Sequence, residues 1–322
     1  MEAGHIMKYS VAIDLGGTNI ASGIVSEEGE LVYKASVPVE NNSDIDALLL
    51  QISEAVKQTA DDSGISKEDI SFVGIGIPGI CKSEKGPVIF APNIFWKDVD
   101  IVTTIENSVG LPVILGNDAD CAAIGEYKLG MGKGFRSMLM LTLGTGVGGS
   151  IIYDGKIGTG FGSFGGEFGH IPLISGGVQC NCGKRGCFEV YCSAVALKRQ
   201  TREAAMLNKD SVIWEMCEGD LNNVGGRTPF DAAEQGDATG IQIVDQYITY
   251  LADGISGLIN IFRPEIVVLG GGVSNQGDSL INPLNEKVSE MCYSAPDIEP
   301  PKVYKAALGN KAGIIGAGLL GF

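Results

Sequence analysis

The stretch GEFGHIPLISGGVQCNCGKRGCFE, residues 166–189, places His170 ten residues ahead of Cys180, and Cys182 and Cys187 complete a C-x-C-x4-C run. One imidazole and three thiolates form a tetrahedral donor set for Zn2+, soft enough to select it and complete enough to leave no vacancy for water. A closed site of this kind builds structure and performs no reaction. Gly183 and Gly186 punctuate the run, a spacing that unrelated cysteines would not require. Glu167 and Glu189 flank the ligands, so a bound metal would hold two carboxylates in fixed relation to each other.

A second set of residues suits phosphate chemistry. Three glycine-rich turns each follow an apolar run: Asp14-Leu15-Gly16-Gly17-Thr18-Asn19, Leu143-Gly144-Thr145-Gly146 and Leu269-Gly270-Gly271-Gly272. Glycine lets backbone N–H groups close on phosphate oxygens, and the hydroxyls of Thr18 and Thr145 add donors. None of the turns matches the Walker pattern or the dinucleotide fingerprint. Together they indicate a nucleotide-binding cleft. Asp14 is placed to hold Mg2+ through its waters, because that ion dehydrates reluctantly. In Gly116-Asn117-Asp118-Ala119-Asp120, one polar residue suffices to cap a helix. A further carboxylate there is suited to take the proton of a hydroxyl attacking a γ-phosphate. Asp118 and Asp120 stand as rivals for that role. The residues alone reach ATP-dependent phosphoryl transfer to a polar small molecule.

These residues need an α/β frame to position them. Residues 8–37 read as three short strands, YSVAIDL, NIASGIV and ELVYKASVPV, joined by tight turns. Ser43 is expected to cap a helix with Ile45, Leu48, Leu49, Ile52 and Val56 on one face, ending near Gly64. Buried strands follow at 72–79 and 112–115, and a helix from Asp118 to Leu129. The opening pattern then repeats in MLMLTLGTGVGGSIIYDGKI, with Gly16 over Gly144, Thr18 over Gly146 and Ser22 over Ser150. The repeat implies a duplicated α/β unit with its ligand near the carboxyl ends of the strands. A long helix with Ile241, Val244, Ile248, Leu251, Ile255, Leu258 and Phe262 on one face should stop at Pro264. A buried strand, EIVVLGGGVSN, comes next, and a Gly/Ala-rich helix over 309–321 should dock back onto the first lobe.

The formal charge of −16 argues against nucleic acid or an anionic membrane as partner. No run of apolar residues is long enough to span a bilayer, and no leader precedes the first strand. Eight cysteines in such a chain fit a reducing cytoplasm, as thiolates and not disulfides. With 44% hydrophobic and 19% charged residues the chain is an ordinary folded protein, and its 47 glycines, about twice the usual share of roughly 7%, concentrate in the turns.

The motifs DLGGTN (14–19), GIPG (76–79), GNDAD (116–120), LGTGVGGS (143–150), GEFGH (166–170), CNCGKRGC (180–187) and LGGGVS (269–274) occur in an order that resembles the ROK-family sugar kinases, above all the bacterial glucokinases. The likeness covers essentially the whole chain. It implies an actin-like (ribonuclease H-like) ATPase fold, two lobes around a central cleft with a zinc-binding insertion: residues 1–117 with 305–322, and residues 118–304. It implies Asp118 as general base on the 6-hydroxyl of a hexose, with glucose first among substrates. Asn117, Glu167, His170 and Glu189 would bind the other hydroxyls, and Asn93 would line the same pocket. His170 would also ligate zinc through its other ring nitrogen. ATP, Mg2+ and structural Zn2+ are the implied cofactors, and a homodimer or homotetramer the implied assembly. Asp120 departs from the asparagine frequent at that position, and its charge should raise the pKa of Asp118. Two alternatives stand beside glucose phosphorylation. One is a kinase for N-acetylmannosamine, N-acetylglucosamine, fructose or allose. The other is a sugar-responsive regulator, against which stand the acidic charge and the absence of a helix-turn-helix ahead of Asp14.

Overall fold

The computed structural model describes residues 6–40, 44–81, 86–91, 94–293, 295 and 298–322. The chain divides into two compact units. The first comprises Met1–Gly134, Gly155–Gly166 and Ala307–Phe322, and the second comprises Phe135–Asp154 and Glu167–Ala306.

In the first unit the alternating opening sequence forms an antiparallel meander of Tyr9–Leu15, Asn19–Ser26 and Leu31–Pro38. Tyr9–Leu15 also pairs in parallel with Ile70–Ile77, and that strand with Val113–Asn117, so the first strand in sequence sits at the centre of five. Helices cover both faces, which is why the central strands are predominantly apolar on both sides. On one face Val11, Ile13 and Ile75 pack with Leu48, Ile52 and Val56 of the helix Ile45–Asp62. On the other, Ala12 and Val25 pack with Ile314, Ile315 and Ala317 of the closing helix Ala312–Leu319. The cap of the first of these helices is Asp44, whose carboxylate accepts the Ala47 amide at 3.1 Å. Ser43, expected in that role, lies outside the described residues.

The closing helix also lies directly against Asp118–Leu129. A Cβ on Gly316 would overlap the carbonyl of Cys121, so only glycine permits this approach. A small antiparallel sheet, Ile80–Cys81, Val88–Ala91 and Trp96–Val99, and the helix Ile101–Val109 complete the unit.

The second unit repeats the arrangement. Ser137–Leu143 pairs antiparallel with Val147–Tyr153 and in parallel with Ile266–Gly270, which pairs in parallel with Lys302–Lys305. The order and directions of these four strands match those of four strands of the first sheet. The long helix runs from Ala238 to Phe262, capped by Asp237 on the Gly240 amide at 2.7 Å, and ends with Arg263 at φ 43°. Ile248, Leu251, Ile255 and Leu258 are buried as the periodicity requires, but Ile241 is half exposed. The helix starts three residues ahead of Ile241, and Ile243 and Tyr247 take the buried positions in its first turns instead. Among the described residues no helix is long and apolar enough to cross a membrane.

Candidate functional site

In the first unit, Val113–Asn117 runs to the carboxyl end of the sheet and turns directly into the helix Asp118–Leu129. Asn117 is the cap: its Oδ1 accepts the amides of Ala119 at 2.8 Å and Asp120 at 3.4 Å. Its side-chain nitrogen donates to the Gly79 carbonyl at 2.9 Å, which locks the turn to the neighbouring strand. Asp118 is therefore released from capping, although its own Oδ1 also accepts the Ala119 amide at 2.8 Å.

Burial pushes the Asp118 carboxyl up to about 7; the Ala119 amide opposes this, while the nearby charges of Asp14 and Asp120 push it further. Part of Asp118 still reaches solvent, so the protein packed around it, not complete enclosure, supplies the main effect. The expected influence of Asp120 is present, but burial is the larger cause and Asp14 precedes Asp120. Asp14 is itself raised by burial, with Lys34 pulling the other way. Both Asp118 and Asp120 also act on Cys81, whose thiol burial pushes up to about 12, leaving it neutral and unreactive. Nothing in the sequence marked Cys81, or the Gly79 carbonyl, as neighbours of this carboxylate.

The first glycine turn lies at the end of Tyr9–Leu15. The Gly16 amide donates to the Asn19 carbonyl at 2.9 Å, and the Asn19 side chain donates to Thr18 Oγ1 at 3.2 Å. Gly17, Thr18 and Asn19 are exposed.

The second unit carries the other two turns and the metal loop. The Gly144 amide donates to the Gly146 carbonyl at 3.0 Å, while the Gly144 carbonyl accepts from the Ala194 amide at 2.8 Å. Thr145, Gly271 and Gly272 are exposed at the carboxyl ends of their strands. Gly146 has Glu189 against it: a Cβ there would stand 2.6 Å from Glu189 Oε2. The turn and the glutamate are thus packed together, which the sequence separation does not suggest.

The side-chain donor atoms of His170, Cys180, Cys182 and Cys187 all lie within 4.8 Å of one another. Tetrahedral zinc with bonds of about 2.3 Å to sulfur separates its ligands by about 3.8 Å. The Cys182 and Cys187 sulfurs are 3.6 Å apart, and Cys180 Sγ is 3.8 Å from His170 Nδ1. The donor set and its spacing fit zinc. Nδ1 is the nitrogen nearest the Cys180 sulfur, so with zinc bound there Nε2 would carry the hydrogen; it lies 4.0 Å from Glu167 Oε2. Glu189 Oε1 lies 3.1 Å from Cys180 Sγ and 3.6 Å from His170 Nδ1. One cluster therefore fixes His170, Glu167 and Glu189 together.

The residues singled out in the sequence thus fall into two groups. Asp14, Gly16, Gly17, Thr18, Asn19, Asn117 and Asp118 belong to the first unit, and Gly144, Thr145, Gly146, Glu167, His170, the three cysteines, Glu189, Gly271 and Gly272 to the second. Asn93 lies outside the described residues.

Residues 10–321 match the model of the ROK family. A glucokinase from Halalkalibacterium halodurans is 38% identical over 317 residues, covering 97% of this chain and 94% of that protein. A glucokinase from Thermotoga maritima is 37% identical over 311 residues, covering 95% of each. The crystal structure of a ROK family glucokinase from Streptomyces griseus in complex with glucose and AMPPNP superposes with a TM-score of 0.83 at 32% identity, over 96% of this chain and 97% of that one. The twofold α/β sheet with its metal cluster is of the actin-like ATPase kind. Match, likeness and geometry agree: the chain belongs to the ROK family.

Proposed function

We propose that the protein transfers the γ-phosphoryl group of MgATP to a hexose, with glucose as the favoured acceptor, and that the 6-hydroxyl is the group phosphorylated. The observation that carries this reading is Asp118: a carboxylate at the head of a helix, freed from capping by Asn117, with its pKa brought to about 7. A base is most effective when its pKa lies near the working pH. Glucokinases among the relatives, aligned over nearly the whole chain, support the sugar and the nucleotide.

In this reading Asp118 orients the attacking hydroxyl and takes its proton as the bond to phosphorus forms. Asn117 donates its remaining amide hydrogen to the sugar. Glu167, Nε2 of His170 and Glu189 hold further hydroxyls, positioned by the metal loop. The backbone amides of Gly16, Gly17, Thr18 and Asn19, of Gly144, Thr145 and Gly146, and of Gly271 and Gly272 cradle the triphosphate and adenosine. Asp14 receives the Mg2+ of the substrate through water. That cation would offset the repulsion between Asp14 and Asp118, favouring ionised Asp118 when MgATP is bound. Zinc supplies structure alone. The finer fold assignment, ribonuclease H-like, belongs to the same proposal, as do a cytoplasmic location and a homodimer or homotetramer.

A coupled ADP-release assay across glucose, fructose, allose, mannose, N-acetylglucosamine and N-acetylmannosamine tests it. Glucose should give the highest kcat/KM. A site built around one hydroxyl pattern rejects an analogue lacking it by up to roughly 10⁴, so a dominant N-acetylhexosamine would replace the substrate and leave the chemistry standing.

A further inference from the structure

Glu126 is completely buried on the helix headed by Asp118, and phosphoryl transfer by Asp118 makes no direct use of it. Its carboxylate accepts three backbone hydrogen bonds. Oε2 takes the amides of Met131 at 3.0 Å and Ala307 at 3.1 Å, and Oε1 takes that of Leu308 at 2.6 Å. Its own carbonyl accepts from Gly130 and Gly132 at 3.0 and 2.9 Å.

These partners have a topological meaning. The chain first leaves the first unit after Gly134, returns for Gly155–Gly166, and re-enters it for the last time at Ala307. One carboxylate therefore grips the chain just before a departure and at the first two residues of a return. All of its partners belong to the first unit, so the grip is a property of that unit alone. Asp118 and Glu126 share one helix, about 12 Å apart along its axis, and a helix of this length moves as a rigid body.

We propose that Glu126 is a positioning residue for phosphoryl transfer: it fastens both of these chain segments to the helix that presents Asp118, and so fixes where that carboxylate stands within the first unit. The proposal rests on the kinase reading. Three amide hydrogens converging on two oxygens require a carboxylate. A glutamine of the same shape would turn its own N–H groups toward Leu308, or toward Met131 and Ala307, and lose at least one bond.

The test compares wild type with Glu126→Gln by amide hydrogen exchange, thermal unfolding and steady-state kinetics on glucose and ATP. The amides of Met131, Ala307 and Leu308 should exchange faster in the variant. Turnover per folded molecule should fall roughly 10- to 100-fold, the scale of small misplacements remote from the reacting atoms, while KM for ATP stays within about two-fold. A merely structural role would lower the unfolding temperature and leave kcat per folded molecule unchanged. That result, or unchanged exchange at the three amides, overturns the proposal. Should Glu126→Gln not fold, Glu126→Asp, which keeps the charge and shortens the reach, carries the same measurements and the same expectations. A wild type inactive on every hexose sinks the kinase reading instead, and the exchange data then still decide whether the clasp exists.

Discussion

The opening hairpin of the first unit turns through Gly16 to Asn19 between the paired residues Leu15 and Ile20, whereas that of the second turns through Gly144 to Gly146 between Leu143 and Val147. The shorter turn moves the register by one residue. Ser22 therefore faces Ile13, and its hydroxyl shares a 2.7 Å hydrogen bond with Thr59, while Ser150 faces Met140 and its hydroxyl has no hydrogen-bond partner among the described residues. The ends of the strands diverge further. In the first unit they carry carboxylates whose pKa values burial raises, Asp14 and Asp118. In the second they carry glycines, beside a metal loop that fixes Glu167, His170 and Glu189. On the proposed reading, a duplicated scaffold has been divided into a reactive half and a holding half.

That division can be attacked from both sides. Stripping zinc with a chelator, or replacing Cys182 by Ser, should cost the second unit stability on the order of 10 kcal/mol, read as a large drop in unfolding temperature. Metal-free protein with an unchanged melting curve would remove the holding half from the comparison. Asp118→Asn should lower kcat about 10³- to 10⁴-fold while sugar binding, measured by calorimetry, survives. Near-normal turnover would pass the role of base to Asp120.

The same residue links activity to stability. In the unfolded chain Asp118 titrates near 3.8, and in the folded protein near 7, so between these values the native state holds the extra proton. Stability from this group is therefore present below about pH 4 and lost as pH rises toward 7, a change on the order of 4 kcal/mol. Asp118→Asn should abolish this loss, leaving the inactive variant more stable than wild type at pH 8 and little different at pH 4. Denaturant titrations at the two values would show it, and equal midpoint shifts at both would contradict the raised pKa. The smallest expected effect is that of Gly316→Ala, which should cost about 1–3 kcal/mol by forcing the closing helix off Cys121. It should leave the zinc content untouched, since the strain is confined to the first unit.

Much of this is legible in the sequence, for reasons that particular residues make clear. The strands Tyr9–Leu15 and Ser137–Leu143 announce themselves as apolar runs ending in glycine, and the Asp118–Leu129 helix by its cap. The cysteine spacing carries the metal cluster, because ligands on a short loop must be close in space. The small sheet between Ile80 and Val99 is not legible, since its strands are too short for alternation to register. Nor are the short helices between Glu189 and Glu234, most of them little more than a turn long. Ser22 and Ser150 align in sequence yet sit differently, because register depends on turn length that an alignment of glycines conceals. The choice between Asp118 and Asp120 comes from family likeness. Packing of Glu189 on Gly146, and the three bonds of Glu126, are long-range facts with no local signature.

The closing helix has one more consequence. A ribosome reading this message completes every residue of the second unit before it releases Ala312–Leu319, the segment that seals one face of the first sheet. Until then Ala12, Val25 and Cys121 lack the cover that this helix supplies, so the unit whose synthesis begins first cannot complete its core until the last residues have emerged.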